Sequence, residues 1–143
     1  MAYTPMTDDE WRAFLVEAPR PAILSTVRAD GRPHAAPVWI DVEDGAIVFN
    51  TGTDTVKGRN IARDPRVSIV VQDDQPPFSH VLVEGVAETS DDLDDVRAVA
   101  TRIGGRYMGA DQAEALGTRN GVPGELVVRV RPTHVVAVKD VAD

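Results

Sequence analysis

Apolar residues change their period several times along this chain, and each change marks an element. Trp11, Phe14 and Leu15 recur at helical spacing behind Thr7-Asp8-Asp9-Glu10, where a hydroxyl residue precedes a glutamate by three positions. That order is a capping box, so a short amphipathic helix is predicted over residues 7–17. Pro19 and Pro21 end it. Residues 22–27, 33–42 and 46–50 then read as strands, with Asp30-Gly31 and Asp44-Gly45 between them. Asp-Gly marks a tight hairpin, because a type I′ turn needs positive φ at both central residues. The pattern predicts three sequential antiparallel strands.

Residues 55–63 read as a short helix, stopped by Asp64-Pro65. Residues 67–72 form a fourth strand, 73–77 a loop and 79–88 a long fifth strand. Gly85 stands within that strand as a bulge or barrel corner. Leu93, Val96, Ala100 and Ile103 share one face of a helix over residues 91–103, for which Gly104-Gly105 reads as the stop. Residues 106–125 carry the weakest pattern, with a helical turn at 112–116. Two last strands, 126–130 and 134–138, are separated at Pro132. Short apolar strands of this kind close on themselves to remove their edges. The expected fold is mainly β, a small β-barrel with short helices, in a single domain over residues 1–143.

Composition narrows the function classes. Fifteen Lys and Arg stand against 23 Asp and Glu, a formal net charge of −8. An acidic surface argues against nucleic acid and anionic membrane as partners. The absence of cysteine excludes disulfides and thiolate chemistry and fits a cytoplasmic location. Met1-Ala2-Tyr3-Thr4-Pro5 lacks the basic-then-apolar order of a secretory leader, and no apolar run approaches a membrane span. His34, His80 and His134 lack the spacing of a ligand set, so no metal is expected.

Against that acidity, one cationic segment stands out. The apolar residues 46–49 run directly into Asn50-Thr51-Gly52-Thr53-Asp54-Thr55-Val56-Lys57-Gly58-Arg59-Asn60. A strand opening into a helix start offers unpaired N–H groups and the positive end of a dipole. Hydroxyls, Lys57 and Arg59 added there make a place to hold a phosphate. Lys57 and Asn60 stand three apart and are expected on one helix face, as ammonium and amide ligands. Arg59 either reaches the same anion or pairs with Asp54 or Asp64. Thr51 and Gly52 either contact the ligand or serve only to end the strand. Pro37 cannot donate to a ladder, so its strand is at an edge or bulged.

The order of these motifs resembles a known family. An Asp-Gly hairpin precedes Pro33-His34-x-x-Pro37-Val38-Trp39. A strand leads into Thr51 through Lys57, and Asn60-Ile61, Asp64-Pro65-Arg66-Val67 and Val83-Glu84-Gly85 follow. This is similar to the pyridoxamine 5′-phosphate oxidase-like split β-barrel superfamily, over roughly residues 8–140. Within it the chain resembles the actinobacterial deazaflavin branch that uses coenzyme F-420. The resemblance implies a homodimer with a cofactor in each interface groove, phosphate on the short helix, and hydride transfer from reduced F-420 to an activated double bond of a small substrate. FMN is the alternative cofactor. FMN-dependent oxidation and non-catalytic carriage of F-420 or flavin are the alternative activities. The Arg-rich set of the vitamin B6 oxidases is not found here.

The same resemblance assigns candidate roles. Pro37, Val38 and Trp39 would approach the ring, with core packing an alternative for Trp39. Asn50, Thr51, Gly52, Lys57, Arg59 and Asn60 would hold the polar arm, with the carboxylate tail of a polyglutamate-type cofactor an alternative contact for Arg59. Phe78 and Ser79 would approach a cofactor from a loop of the partner subunit, with His80 in the substrate pocket. Tyr107 would line the pocket rim or serve a loop. Hydride transfer needs no nucleophilic side chain, so none is assigned as catalytic.

Overall fold

Thr7 accepts from the Glu10 N–H at 3.2 Å while Glu10 accepts from the Thr7 N–H at 3.0 Å, closing the expected capping box. In this computed structural model, which describes residues 3–143, that box starts α1 (Asp8–Glu17). The leader reading rests partly on Met1 and Ala2, which lie outside the described residues. Trp11, Phe14 and Leu15 are buried as their spacing requires. The last turn of α1 has no basic residue of its own. Arg106 supplies one from far along the chain, donating to the carbonyls of Leu15 and Ala18, both at 2.9 Å.

The strands are β1 (Thr4–Pro5), β2 (Ala22–Val27), β3 (Pro33–Val38), β4 (Asp41–Glu43), β5 (Ala46–Gly52), β6 (Arg66–Asp73), β7 (Ser79–Ser90) and β8 (Glu125–Lys139). The helices after α1 are α2 (Val56–Arg63), α3 (Leu93–Met108) and α4 (Ala113–Asn120). The sheet runs β3-β2-β6-β7-β8-β5-β4, all pairs antiparallel, with β1 added beside β8. Its two ends, β3 and β4, are consecutive in the chain and joined through Trp39–Ile40. One bent segment therefore closes the sheet into a split barrel.

That bend corrects the expected single strand over residues 33–42. The Ile40 N–H is donated to the Tyr107 hydroxyl at 3.1 Å, not to a ladder. As Pro37 required, β3 lies at one end of the path and pairs only β2.

The two Asp-Gly hairpins differ. Asp44 and Gly45 both have positive φ, 51° and 79°, as a type I′ turn demands. At the first hairpin only Gly31 does, at 87°, and residues 28–32 form a wider loop between Val27 and its partner Pro33. Gly104-Gly105 does not stop a helix, since α3 continues to Met108. These glycines let α4 approach: a Cβ on Gly104 would lie 2.7 Å from that of Leu116, and one on Gly117 1.9 Å from the Thr101 hydroxyl oxygen. The expected turn at 112–116 lies within this α4 region. Pro132 does not divide the last strand either. It pairs with Gly85 where the β7–β8 register shifts, so β8 passes through as one strand with a bulge.

The barrel interior holds Leu24, Phe49, Ile69, Val83 and Val130. Outside it, Val96, Val99 and Ile103 of α3 pack on Val48 and Val127. Because β5 is covered on both faces, residues 46–49 read as a continuous apolar run. Arg129 fastens these layers, donating to both Asp95 oxygens at 2.8 Å and to Glu43 at 3.1 Å.

Candidate functional site

The start of α2 is built by a pair of threonines. Thr55 caps the helix by accepting from the Gly58 N–H at 3.0 Å, and it donates its single hydroxyl proton to the Gly52 carbonyl at 2.8 Å. The 3.1 Å contact between the Thr51 and Thr55 hydroxyls must then have Thr51 as donor. Gly58 is required for this seating, because a Cβ there would stand 2.1 Å from the Gly52 oxygen. Among the described residues the N–H groups of Val56 and Lys57 find no protein acceptor. They remain available at the positive end of the helix.

Beside this helix start lies a groove of about 330 Å³. Pro37, Val38 and Trp39 from the barrel corner form one wall, and Asn50 and Lys57 form its polar end. Ile103 and Gly104 of α3 and Asn120 of α4 face them. Lys57 is half-buried, unlike the usual fully solvated lysine. A phosphate fits this end on the chemistry of its donors, one ammonium and two backbone N–H groups, and the volume suits a small ligand.

The expected residues thus divide. Pro37, Val38, Trp39, Asn50 and Lys57 meet at one groove. Thr51 is buried beneath α2, and Gly52 is engaged as the carbonyl partner of Thr55. Asn60 does not join Lys57 on a common surface. It is 4% exposed, donates to the Thr26 hydroxyl at 3.0 Å and pins α2 to β2. With Arg59, it lines a separate cavity. Arg59 pairs with neither Asp54 nor Asp64; Asp64 takes Arg66 at 2.7 Å.

Phe78, Ser79 and His80 lie outside the groove of their own chain. Phe78 is exposed with φ 65°, and His80 sits in β7 opposite Gln72 and Val138. Tyr107 lies beneath the corner and stacks on Trp39. Its hydroxyl donates to the Arg20 carbonyl at 2.6 Å while accepting from Ile40.

Two features escaped the sequence reading. Thr55 and Gly58 act together as cap and seat, which the Thr-x-x-Gly spacing signals once the helix start is placed. Glu125, opposite Gly52 at the start of β8, stands near Lys57. Burial pushes its carboxyl above the usual range, Lys57 opposes that shift, and Asp54 adds to it. No local sequence pattern marks Glu125, because only the β5–β8 pairing brings it there. Among the described residues no group of three or more His, Asp or Glu is arranged to hold a metal ion. No described helix is long and apolar enough to cross a membrane.

A split antiparallel barrel of this topology is the fold of a family of oxidoreductases. The chain belongs to the pyridoxamine 5′-phosphate oxidase family, whose model matches residues 7–139. A curated pyridoxine/pyridoxamine 5′-phosphate oxidase from Anaplasma phagocytophilum is 33% identical over 100 residues, covering 69% of this chain and 48% of the relative. The chain therefore spans about half the length of that relative.

Among solved structures, the conserved hypothetical protein Rv2991 from Mycobacterium tuberculosis superposes with a TM-score of 0.83 at 27% identity, covering 98% of this chain and 89% of that one. An F420 reductase superposes with a TM-score of 0.69 at 28% identity, covering 86% of this chain and 94% of the other.

Proposed function

We propose that this protein is an oxidoreductase that binds coenzyme F-420 in the groove beside α2 and reduces an activated double bond of a small organic substrate. The observation carrying this reading is the meeting of Lys57 and two unpartnered N–H groups with the Trp39 corner across one groove. The likeness to an F420 reductase supports the choice of coenzyme.

When bound, a reduced deazaflavin supplies the hydride from its ring carbon. The protein's part is to hold, orient and shield. Lys57 anchors the phosphate, with the N–H groups of Val56 and Lys57 completing the cradle. Asn50 lines the groove beside Lys57. Pro37, Val38 and Trp39 flank the ring, on a corner that Tyr107 holds still. Phe78, Ser79 and His80 reach a ligand only from a second copy of the chain, so the complete site belongs to a homodimer. In that arrangement the partner's loop excludes water.

The test is a fluorescence titration of wild type and Lys57→Ala against F-420 and FMN side by side. Loss of the charged contact is expected to weaken F-420 binding by about 1.5–3 kcal/mol. Unchanged affinity removes Lys57 from the site. Reoxidation of reduced F-420 by added acceptors separates an enzyme from a carrier. A second reading is an FMN-dependent oxidase, of which the oxidase part is favoured by the curated relatives' names. It requires tight FMN binding and oxygen consumption.

A further inference from the structure

On the far side of α2 from Lys57 lies a second cavity, of about 300 Å³. Arg28 and Arg32 reach it from the β2–β3 loop, and Arg59 and Arg63 reach it from α2. Four of the chain's 15 cationic side chains thus surround one small space in a protein of net charge −8. Asp30 is the single carboxylate in the lining, and it is already paired with Arg32 at 2.7 Å. Among the described residues Arg28, Arg59 and Arg63 pair with no carboxylate. Arg28 acts through space on Asp30 and Arg63 on Asp64, yet neither closes an ion pair, so these guanidinium groups keep donors open to an anion in the cavity.

One of these arms is held in place from within. Arg63 donates to the Val27 carbonyl and to the Asn60 side-chain oxygen, the latter at 3.3 Å. Asn60 is itself buried and fixed to Thr26. This chain of bonds ties the guanidinium to the barrel wall, so less freedom is lost when an anion arrives. The loop at residues 28–32 places Arg28 and Arg32 in the same cavity lining as the α2 arginines.

We propose that this cavity is an anion site for a ligand bearing two or more carboxylate or phosphate groups, distinct from the Lys57 groove. Guanidinium forks match both groups and bind them with charge-assisted bonds. Such a ligand has two sources. It is either a free small polyanion or the glutamate tail of a coenzyme seated in the groove, and only the second rests on the function proposed above.

The experiment is isothermal titration of the full chain with tripolyphosphate, comparing wild type, the double variant Arg28→Gln/Arg59→Gln, and Lys57→Ala. Wild type is expected to show saturable binding at the arginine cavity, besides any phosphate held at Lys57. The double variant should weaken binding at that site by about tenfold or more, and Lys57→Ala should remove only the contribution of the groove. Arg28 and Arg59 join no ion pair, so the fold should survive, as circular dichroism will report. Arg63→Gln gives an independent arm with the same expected loss.

No saturable binding by wild type overturns the proposal. So does a loss in Lys57→Ala that the arginine variants do not share. Parallel titrations with F-420 and FMN distinguish the sources. A loss for F-420 alone in the double variant identifies the tail, whereas unchanged binding of both beside lost tripolyphosphate binding identifies a separate polyanion. If wild type binds tripolyphosphate but no coenzyme, the groove reading fails and this site stands.

Discussion

Trp39 and Tyr107 lie ring against ring, their centroids 5.0 Å apart and their planes within 4° of parallel. Tyr107 comes from the last turn of α3, Trp39 from the corner where β3 ends. The stack lets a helix outside the barrel hold the segment that closes it. Trp39 remains 42% exposed, so its other surface is free to meet a ligand or a second chain. The tyrosine hydroxyl fixes both sides of the corner, taking a proton from the Ile40 N–H and giving its own to the Arg20 carbonyl.

Tyr107→Phe keeps the stack and deletes both hydrogen bonds. It leaves a part-buried N–H and carbonyl without partners, so stability should fall by about 1–3 kcal/mol. Tyr107→Leu removes the stack as well and should cost roughly a further 0.5–1.5 kcal/mol. Urea denaturation measures both. Wild-type stability in Tyr107→Phe would show that the corner holds itself.

Gly58→Ala tests the seating of α2. The added methyl would sit 2.1 Å from the Gly52 oxygen, a backbone atom that cannot swing aside. The helix must lift from the end of β5, at a cost of about 1–3 kcal/mol or more. Lifting it also displaces Lys57, so coenzyme affinity should fall with stability. A variant that is destabilised but binds normally would separate the anchor from the helix start.

Much of this architecture is legible along the chain because it is local. The Thr7–Glu10 box, the Asp44-Gly45 turn and the Asp64-Pro65 stop each act within a few residues, and each appears where expected. Apart from the Asp30-Gly31 loop, where only Gly31 takes positive φ, the misreadings involve partners distant in sequence. Gly104-Gly105 looks like punctuation until α4 is known to press on it. Pro132 looks like a strand end until Gly85 provides the bulge across from it. Lys57 is legible as a candidate anchor because a cation at a strand-to-helix turn is a local signal. Glu125 and the Arg28–Arg59 cavity were missed because strand pairing and helix docking assemble them. Asn60 carried a plausible ligand chemistry, and its burial against Thr26 depends on a residue 34 positions away.

Acid stability should depend on Asp95. Hydrogen bonds from Arg129 hold its carboxyl below the usual carboxylate range, against a smaller opposing effect of burial. A depressed folded pKa gives stability that is present above the unfolded value, near 3.9, and lost as pH falls through the folded value. Asp95→Asn should therefore lower stability at neutral pH by about 1–2 kcal/mol, intermediate between exposed and buried pairs. It should also flatten the acid limb below about pH 4. Denaturant midpoints across pH 2.5–7 for both proteins (roughly the span over which a carboxylate titrates) measure this. Parallel acid limbs would assign the acid sensitivity to other carboxylates.

Glu125 should tune the anion anchor. Its carboxylate approaches Gly52, the residue that fastens α2, and burial raises its pKa while the Lys57 charge opposes the shift. When ionised it competes with a phosphate for Lys57 and repels the phosphate directly. Glu125→Gln keeps the shape and removes the charge, so a phosphate-bearing coenzyme should bind more tightly at neutral pH by about 0.5–1 kcal/mol, roughly two- to fivefold. As pH falls through the raised pKa, wild-type Glu125 becomes neutral and its affinity should approach that of the variant. The ligand's own protonation affects both proteins alike, so the ratio of their affinities isolates Glu125. A ratio of one at every pH would place the phosphate beyond the reach of this carboxylate, and so away from Lys57.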